Sequence, residues 1–179
     1  MAERAYLAKH ADISPCGLYR YRLGRTWGGG PTALFVMLNP SIADGTINDP
    51  TIVRCVGFAE REGCGALDVV NLFAWISTDP KALASTVHPV GPMNDEVIRV
   101  AAARASLIVC AWGASIPRGS EKRVGEVLAL LPIGRPAKCF GTTASGAPRH
   151  PLYVPAGEPL VPYAKTRGPI DPIAAGQTP

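Results

Sequence analysis

Four short strand segments punctuate this chain. Thr32 to Leu38 is a continuous apolar run of strand length; Leu67 to Leu72 is the next strand, Leu107 to Trp112 a third, buried one, and Ala137 to Phe140 a fourth, short one. Runs without polar alternation suit strands buried on both faces, as in a parallel sheet. Helix signals fall between them. Asp49-Pro50 opens one, because Asp caps and Pro suits the first helical position; it should run to about Arg61 and stop at Gly63. Asp79-Pro80 gives the same signal for a short helix, Lys81 to Ser85. Met93 to Ala105 holds good helix formers, with Asn94 or Asp95 as cap, and Arg118 to Leu131 is amphipathic and ended by Pro132. Tyr19 to Leu23 alternates as an edge strand would. The first 17 residues have weak periodicity and read as an arm or short helix.

Strands alternating with helices predict a three-layer α/β/α sandwich with a central, mostly parallel four-stranded sheet. One domain should cover residues 1–163, with residues 164–179 a flexible C-terminal tail. In such sheets the ligand site lies beyond the carboxyl ends of the strands. That rule selects Asn39-Pro40-Ser41, Asn71-Leu72-Phe73, Trp112-Gly113-Ala114 and the loop reaching His150. Two amides, a hydroxyl and an imidazole are then expected on one rim.

Composition narrows the chemistry. Gly and Pro number 19 and 18 in 179 residues, so much of the chain is shaped loop, where chemistry is usually carried. Net charge is +4, with Arg 13 of the 18 basic residues; this permits an anionic partner without requiring one. The five cysteines include no C-x-x-C pair, so neither a zinc nor an iron–sulfur site is expected, and no cofactor is implied. No apolar run approaches the ~18 residues of a membrane span, and Met1-Ala2-Glu3-Arg4 is not a secretory signal; a soluble, cytoplasmic protein is expected. No Gly-x-Gly-x-x-Gly follows a strand, and there is no Walker loop and no Gly-x-Ser-x-Gly elbow. Ser41 follows Pro40, which has no backbone donor, so a serine hydrolase is disfavoured.

The strand ends resemble the uracil-DNA glycosylase superfamily. Asn39-Pro40 resembles its first motif, whose polar residue orients or activates the attacking water. Val69-Val70-Asn71 is similar to its second strand, whose Asn reads the flipped base; Ala111 to Ala114 is similar to a third strand end. His150-Pro151-Leu152-Tyr153 resembles the His-Pro-Ser-Pro motif, where the His stabilises charge on the base and the following loop wedges the duplex. These matches span most of residues 32 to 154. The chain also resembles a bacterial family known mainly as a domain of unknown function, through Asn39 to Asp44, Asn48 to Ile52, Val70 to Ala74 and Arg149 to Tyr153. One member of that family is an anti-phage glycosylase removing glucosylated hydroxymethylcytosine. Ser41 departs from uracil-specific members, which carry an aromatic there; a small residue leaves room for a modified pyrimidine. Leu152-Tyr153 replaces Ser-Pro, leaving the wedge open.

The resemblance implies a DNA glycosylase that leaves an abasic site. Asn39, Asp44 and His150 are the catalytic candidates: Asn39 holds the water, Asp44 acts as general base or balances the sugar cation, and His150 donates to the departing base oxygen. Ser41, Asn71 and Phe73 are the base-binding candidates, with Trp75 as an alternative stacking partner. Arg20, Arg22, Arg118, Arg149, Leu152 and Tyr153 are the DNA-contact candidates. Asp49 and Asp79 read as helix caps, and Arg54 as a paired helix residue rather than a phosphate ligand. The expected partner is DNA, with no membrane and no obligate protein partner. Rival readings are a nucleoside or nucleotide N-glycosidase, a non-catalytic reader of modified nucleic acid, and a small-molecule-binding α/β protein.

Overall fold

The computed structural model describes residues 5–41, 43, 47–79, 83 and 85–163. Seven strands form one mixed sheet: β1 (Ala8–Ile13), β2 (Arg20–Thr26), β3 (Thr32–Met37), β4 (Ala66–Asn71), β5 (Leu107–Cys110), β6 (Lys138–Cys139) and β7 (Val161–Pro162). Their spatial order is β1-β2-β4-β3-β5-β6-β7. Pairing is parallel for β4–β3, β3–β5 and β5–β6 and antiparallel for β1–β2, β2–β4 and β6–β7. The expected four-stranded, mostly parallel sheet is therefore too small and too uniform. Tyr19 to Leu23 is not an edge either, because β1 covers it. The amino-terminal arm is a strand, half-buried along most of its length, so no clear two-faced pattern marks it. Strand β6 lies within the expected Ala137 to Phe140 strand, while the two-residue β7 is too short to leave a period in the sequence.

Three helices cover the sheet: α1 (Pro50–Arg61), α2 (Asn94–Arg104) and α3 (Glu121–Leu130). Alternate strand residues serve opposite faces, as the pleat demands. Ala33, Phe35, Met37, Leu67 and Val69 pack against Ile52, Cys55, Val56, Phe58 and Ala59 of α1. Leu34, Val36, Val70, Ile108 and Cys110 pack against Ile98, Ala101 and Ala102 of α2 and Val124, Val127 and Leu128 of α3. Each face of β3 thus meets helix, which explains its unbroken apolar run.

Helix α1 begins as its sequence requires. The Asp49 side chain accepts from Ile52 N–H at 2.8 Å, and Pro50 takes a position whose N–H has no helical partner. Gly63 supplies the left-handed φ of 78° just past its end. Helix α2 lacks the expected side-chain cap: Met93 precedes it, and Asn94 turns inward to donate to the carbonyls of Asn71 and Leu72 at 3.0 and 3.3 Å. Helix α3 starts at Glu121, three residues after the expected Arg118. Most of the expected short helix after Asp79-Pro80, and the tail over residues 164–179, lie outside the described residues. No helix among the described residues is long and apolar enough to cross a membrane.

The connections place a site. From β3 the chain passes through α1 to β4 on one side, then through α2 on the opposite face to β5 on the other side. Consecutive crossovers on opposite faces leave a crevice at the carboxyl ends of β3, β4 and β5.

Candidate functional site

A cavity of about 420 Å³ opens at that crevice, within the ~300–1,000 Å³ range of small-ligand sites. Asn39 and Ser41 reach it from the end of β3, Asn71 from β4, Trp112 to Ser115 from β5, and Arg149, His150 and Tyr153 from the segment after β6. The start of α1 adds Asp49, Thr51 and Ile52.

Backbone bonds tie these loops together. Ser77 N–H donates to Pro40 O at 3.0 Å, joining the segments that follow β3 and β4. The Asn39 side-chain amide donates to Ser77 O at 2.8 Å and Pro40 O at 3.0 Å. Two carbonyl partners require the NH₂ end there, which orients the amide and leaves Oδ1 as its acceptor end. Gly113 N–H donates to Pro148 O at 2.9 Å, docking the His150 segment onto the end of β5. Gly113 has φ +75°, and a Cβ there would meet the His150 Cβ at 3.1 Å. Glycine is needed both for the turn and for the close approach.

His150 sits at the head of a 3-10 turn, Pro151–Tyr153. Its Nδ1 accepts from Leu152 N–H at 3.3 Å, so in the neutral ring the proton is on Nε2. Burial lowers the imidazole pKa from its usual 6.5, and the Asp49 carboxylate opposes that shift. A neutral ring near pH 7 with Nε2–H available is a hydrogen-bond donor to a developing oxyanion. Arg54 of α1 fixes this turn by donating to Pro151 O at 3.4 Å and to Val154 O. Its guanidinium is thus engaged by backbone carbonyls.

Asn71 differs from Asn39. Its residue is 1% exposed, and its Nδ2 is buried without a hydrogen-bond partner among the described residues. A buried unpaired amide donor costs ~1–3 kcal/mol. The side chain lines the cavity, so an acceptor placed there would satisfy it.

Not every expected residue joins this group. Asp44 lies outside the described residues. Phe73 is a core residue on the α2 side of the sheet: β4 ends at Asn71, so the two-residue alternation that would put Phe73 on Asn71's face no longer holds. Arg22 pairs with Asp12 at 2.8 Å and Asp68 at 3.6 Å and lines a separate, smaller cavity beside α2. Arg20, expected on a DNA-facing surface, is 4% exposed in the cavity wall and donates to Ala43 O. Arg118 is exposed and outside the cavity lining. Leu152 is not part of the lining and is 40% exposed, while Tyr153 lines the cavity with its ring 5.6 Å from that of His150. Trp75 packs edge-on against Tyr19 at 5.5 Å instead of lining the cavity.

The sequence reading missed two contributions. Asp49 was read as a cap alone, yet it also lines the cavity. Arg25 is fully buried and holds the chain before Asp49, through Asn48 Oδ1 at 2.7 Å and Ile47 O at 3.0 Å. The first was legible as a polar helix start after a strand end; the second has no local signal. Among the described residues no three His, Cys, Asp or Glu side chains gather as a metal-ligand set.

No curated protein and no solved structure matches this chain significantly. Residues 20–152 match a family described as "Protein of unknown function (DUF1643)", a span that holds every cavity-lining position except Tyr153, and the chain belongs to that family.

Proposed function

We propose that this protein is a DNA glycosylase that hydrolyses the N-glycosidic bond of an extruded, modified pyrimidine and leaves an abasic site. The observation that carries this reading is the buried, unpartnered amide of Asn71 facing the same cavity as Asn39 and His150. A pyrimidine brings carbonyl and ring-nitrogen acceptors, which suit that donor. A central run of parallel strands with helices on both faces agrees with a glycosylase-like fold.

Each group then has a task. The bond from C1′ to the base breaks, with its electron pair leaving on the base. His150 Nε2–H donates to the base oxygen where negative charge collects. Asn39 Oδ1 accepts from a water and aims it at C1′. Asn71 holds the polar edge of the base, and Ser41 leaves space beside it for a 5-substituent. Glucosylated hydroxymethylcytosine of phage DNA is the base the family resemblance favours, with defence against phage as the setting and the cytoplasm as the place. The water's proton passes to a carboxylate, and Asp44 is the candidate from the loop after β3. Arg149, on the rim, serves the phosphates. No cofactor takes part in this scheme.

The test is to incubate purified protein with DNA that is unmodified or carries uracil, hydroxymethylcytosine or glucosylated hydroxymethylcytosine. Abasic sites are then counted and any released base identified. Release from a modified DNA, lost in Asn39→Ala and His150→Ala, is expected. Tight binding to modified DNA without abasic sites would replace the enzyme by a non-cleaving reader. Release from free nucleosides alone would move the substrate off DNA.

A further inference from the structure

We infer that Asp49, besides capping α1, is a catalytic carboxylate of this cavity, taking the proton of the attacking water and balancing the charge that develops on the sugar. The inference rests on the glycosylase reading above and gives Asp49, in place of Asp44, the task of the carboxylate that takes the water's proton. Asp49 lines the cavity together with Asn39, Asn71 and His150. Its Oδ1 accepts from Ile52 N–H at 2.8 Å, which anchors the carboxylate on a rigid helix end. A single oxygen does that work, and a carboxylate has a second. Capping by itself does not call for Asp, since Ser and Asn cap about as well. The electrostatics agree with the geometry: Asp49 is the charged group that supports protonation of His150 against burial. The segment leading to it is held unusually firmly, by the buried Arg25 guanidinium on Asn48 and Ile47.

The step balances. Water oxygen bonds to C1′ as the bond to the base breaks. One water proton moves to Asp49, which later returns it to solvent. The base leaves as an anion, hydrogen-bonded by His150, and takes its proton from solvent. Arg20 and Arg149 also line the cavity, and Arg54 and Tyr153 lie against the His150 turn.

Asp49→Asn separates the two roles, because it keeps the cap and removes the charge. Its thermal midpoint should stay near wild type. Its single-turnover base release from glucosylated or hydroxymethylated duplex should fall by ~10²-fold or more, the usual worth of a general base. In the free protein, the His150 ring should titrate at lower pH than in wild type, read by NMR without any substrate. Asp49→Ser, a second capping variant, should behave alike. Undiminished release by Asp49→Asn would overturn the inference while leaving the glycosylase reading standing. So would a loss of release matched by equal loss of folded protein in both variants, or an Asp44→Asn variant that carries the whole loss. No release by wild type from any of the modified DNAs would overturn the reading and this inference together.

Discussion

Replacing Asn71 by Leu should make the protein more stable and inactive at once. The Asn71 Nδ2 is buried and lacks a hydrogen-bond partner among the described residues. Such a group costs ~1–3 kcal/mol relative to its hydrated state. Leu removes that cost, and it has the same branched four-heavy-atom shape as Asn beside a cavity of about 420 Å³, so overpacking is not a concern. Asn71→Leu should therefore gain ~1–3 kcal/mol. For a domain of this size that corresponds to a rise of roughly 2–10 °C in Tm. Asn39→Leu makes the contrast. Its amide donates to Ser77 O and Pro40 O, so the change breaks two bonds, each worth ~0.5–1.5 kcal/mol net. That variant should be less stable than wild type. Both should lose base release, so stability and activity move together at one amide and in opposite senses at the other. Urea melts and abasic-site counts on the two purified variants decide it. An Asn71→Leu protein that melts below wild type would show that the amide is satisfied in the free protein, and would remove the main support for a base-reading role.

Three further outcomes follow from the same geometry. His150 has its pKa lowered by burial, so its neutral form is favoured in the fold: stability should be full above about pH 6.5 and decline as pH falls from that value through the lowered folded one, a slope that His150→Gln should flatten in melts across pH 4.5–7.5. Base release should decline over the low end of that interval, as the ring protonates. Arg54→Ala frees the His150 turn from α1 and should destabilise the protein by about 1–3 kcal/mol in denaturant titrations, with Arg54→Lys recovering only part, since a lysine cannot fork to two carbonyls. Arg149→Ala should weaken binding to DNA of any sequence and reduce the slope of log K against log salt by about one, whereas Arg22→Ala, whose guanidinium is paired with Asp12 and Asp68 in the separate cavity beside α2, should leave that slope unchanged.

The parts of the fold that could be read in advance are those with dense, periodic burial. Strands β3, β4 and β5 were legible because both their faces meet helices, and α1 because Asp49-Pro50 and Gly63 mark its ends locally. Strand β1 was not, since its side chains are mostly half-buried and its place is set by backbone bonds to β2. The same division runs through the site. Asn39, Asn71 and His150 could be named because they stand at the carboxyl ends of strands or in a loop of known resemblance. Phe73 could not be placed rightly, because which face it takes depends on how the chain leaves β4.

The sequence alone determined the alternation of apolar runs and capped helices, and with it a layered α/β architecture having its polar groups at one rim. Only the tertiary structure decided the number and sense of the strands, the inward turn of Arg20, the place of Asp49 in the cavity lining and the ion-paired fate of Arg22. The reason is physical. Burial periodicity and capping are written within a few residues of one another, whereas an ion pair such as Arg22–Asp68, or a clamp such as Arg54 on Val154, joins residues that become neighbours only when the whole sheet is assembled.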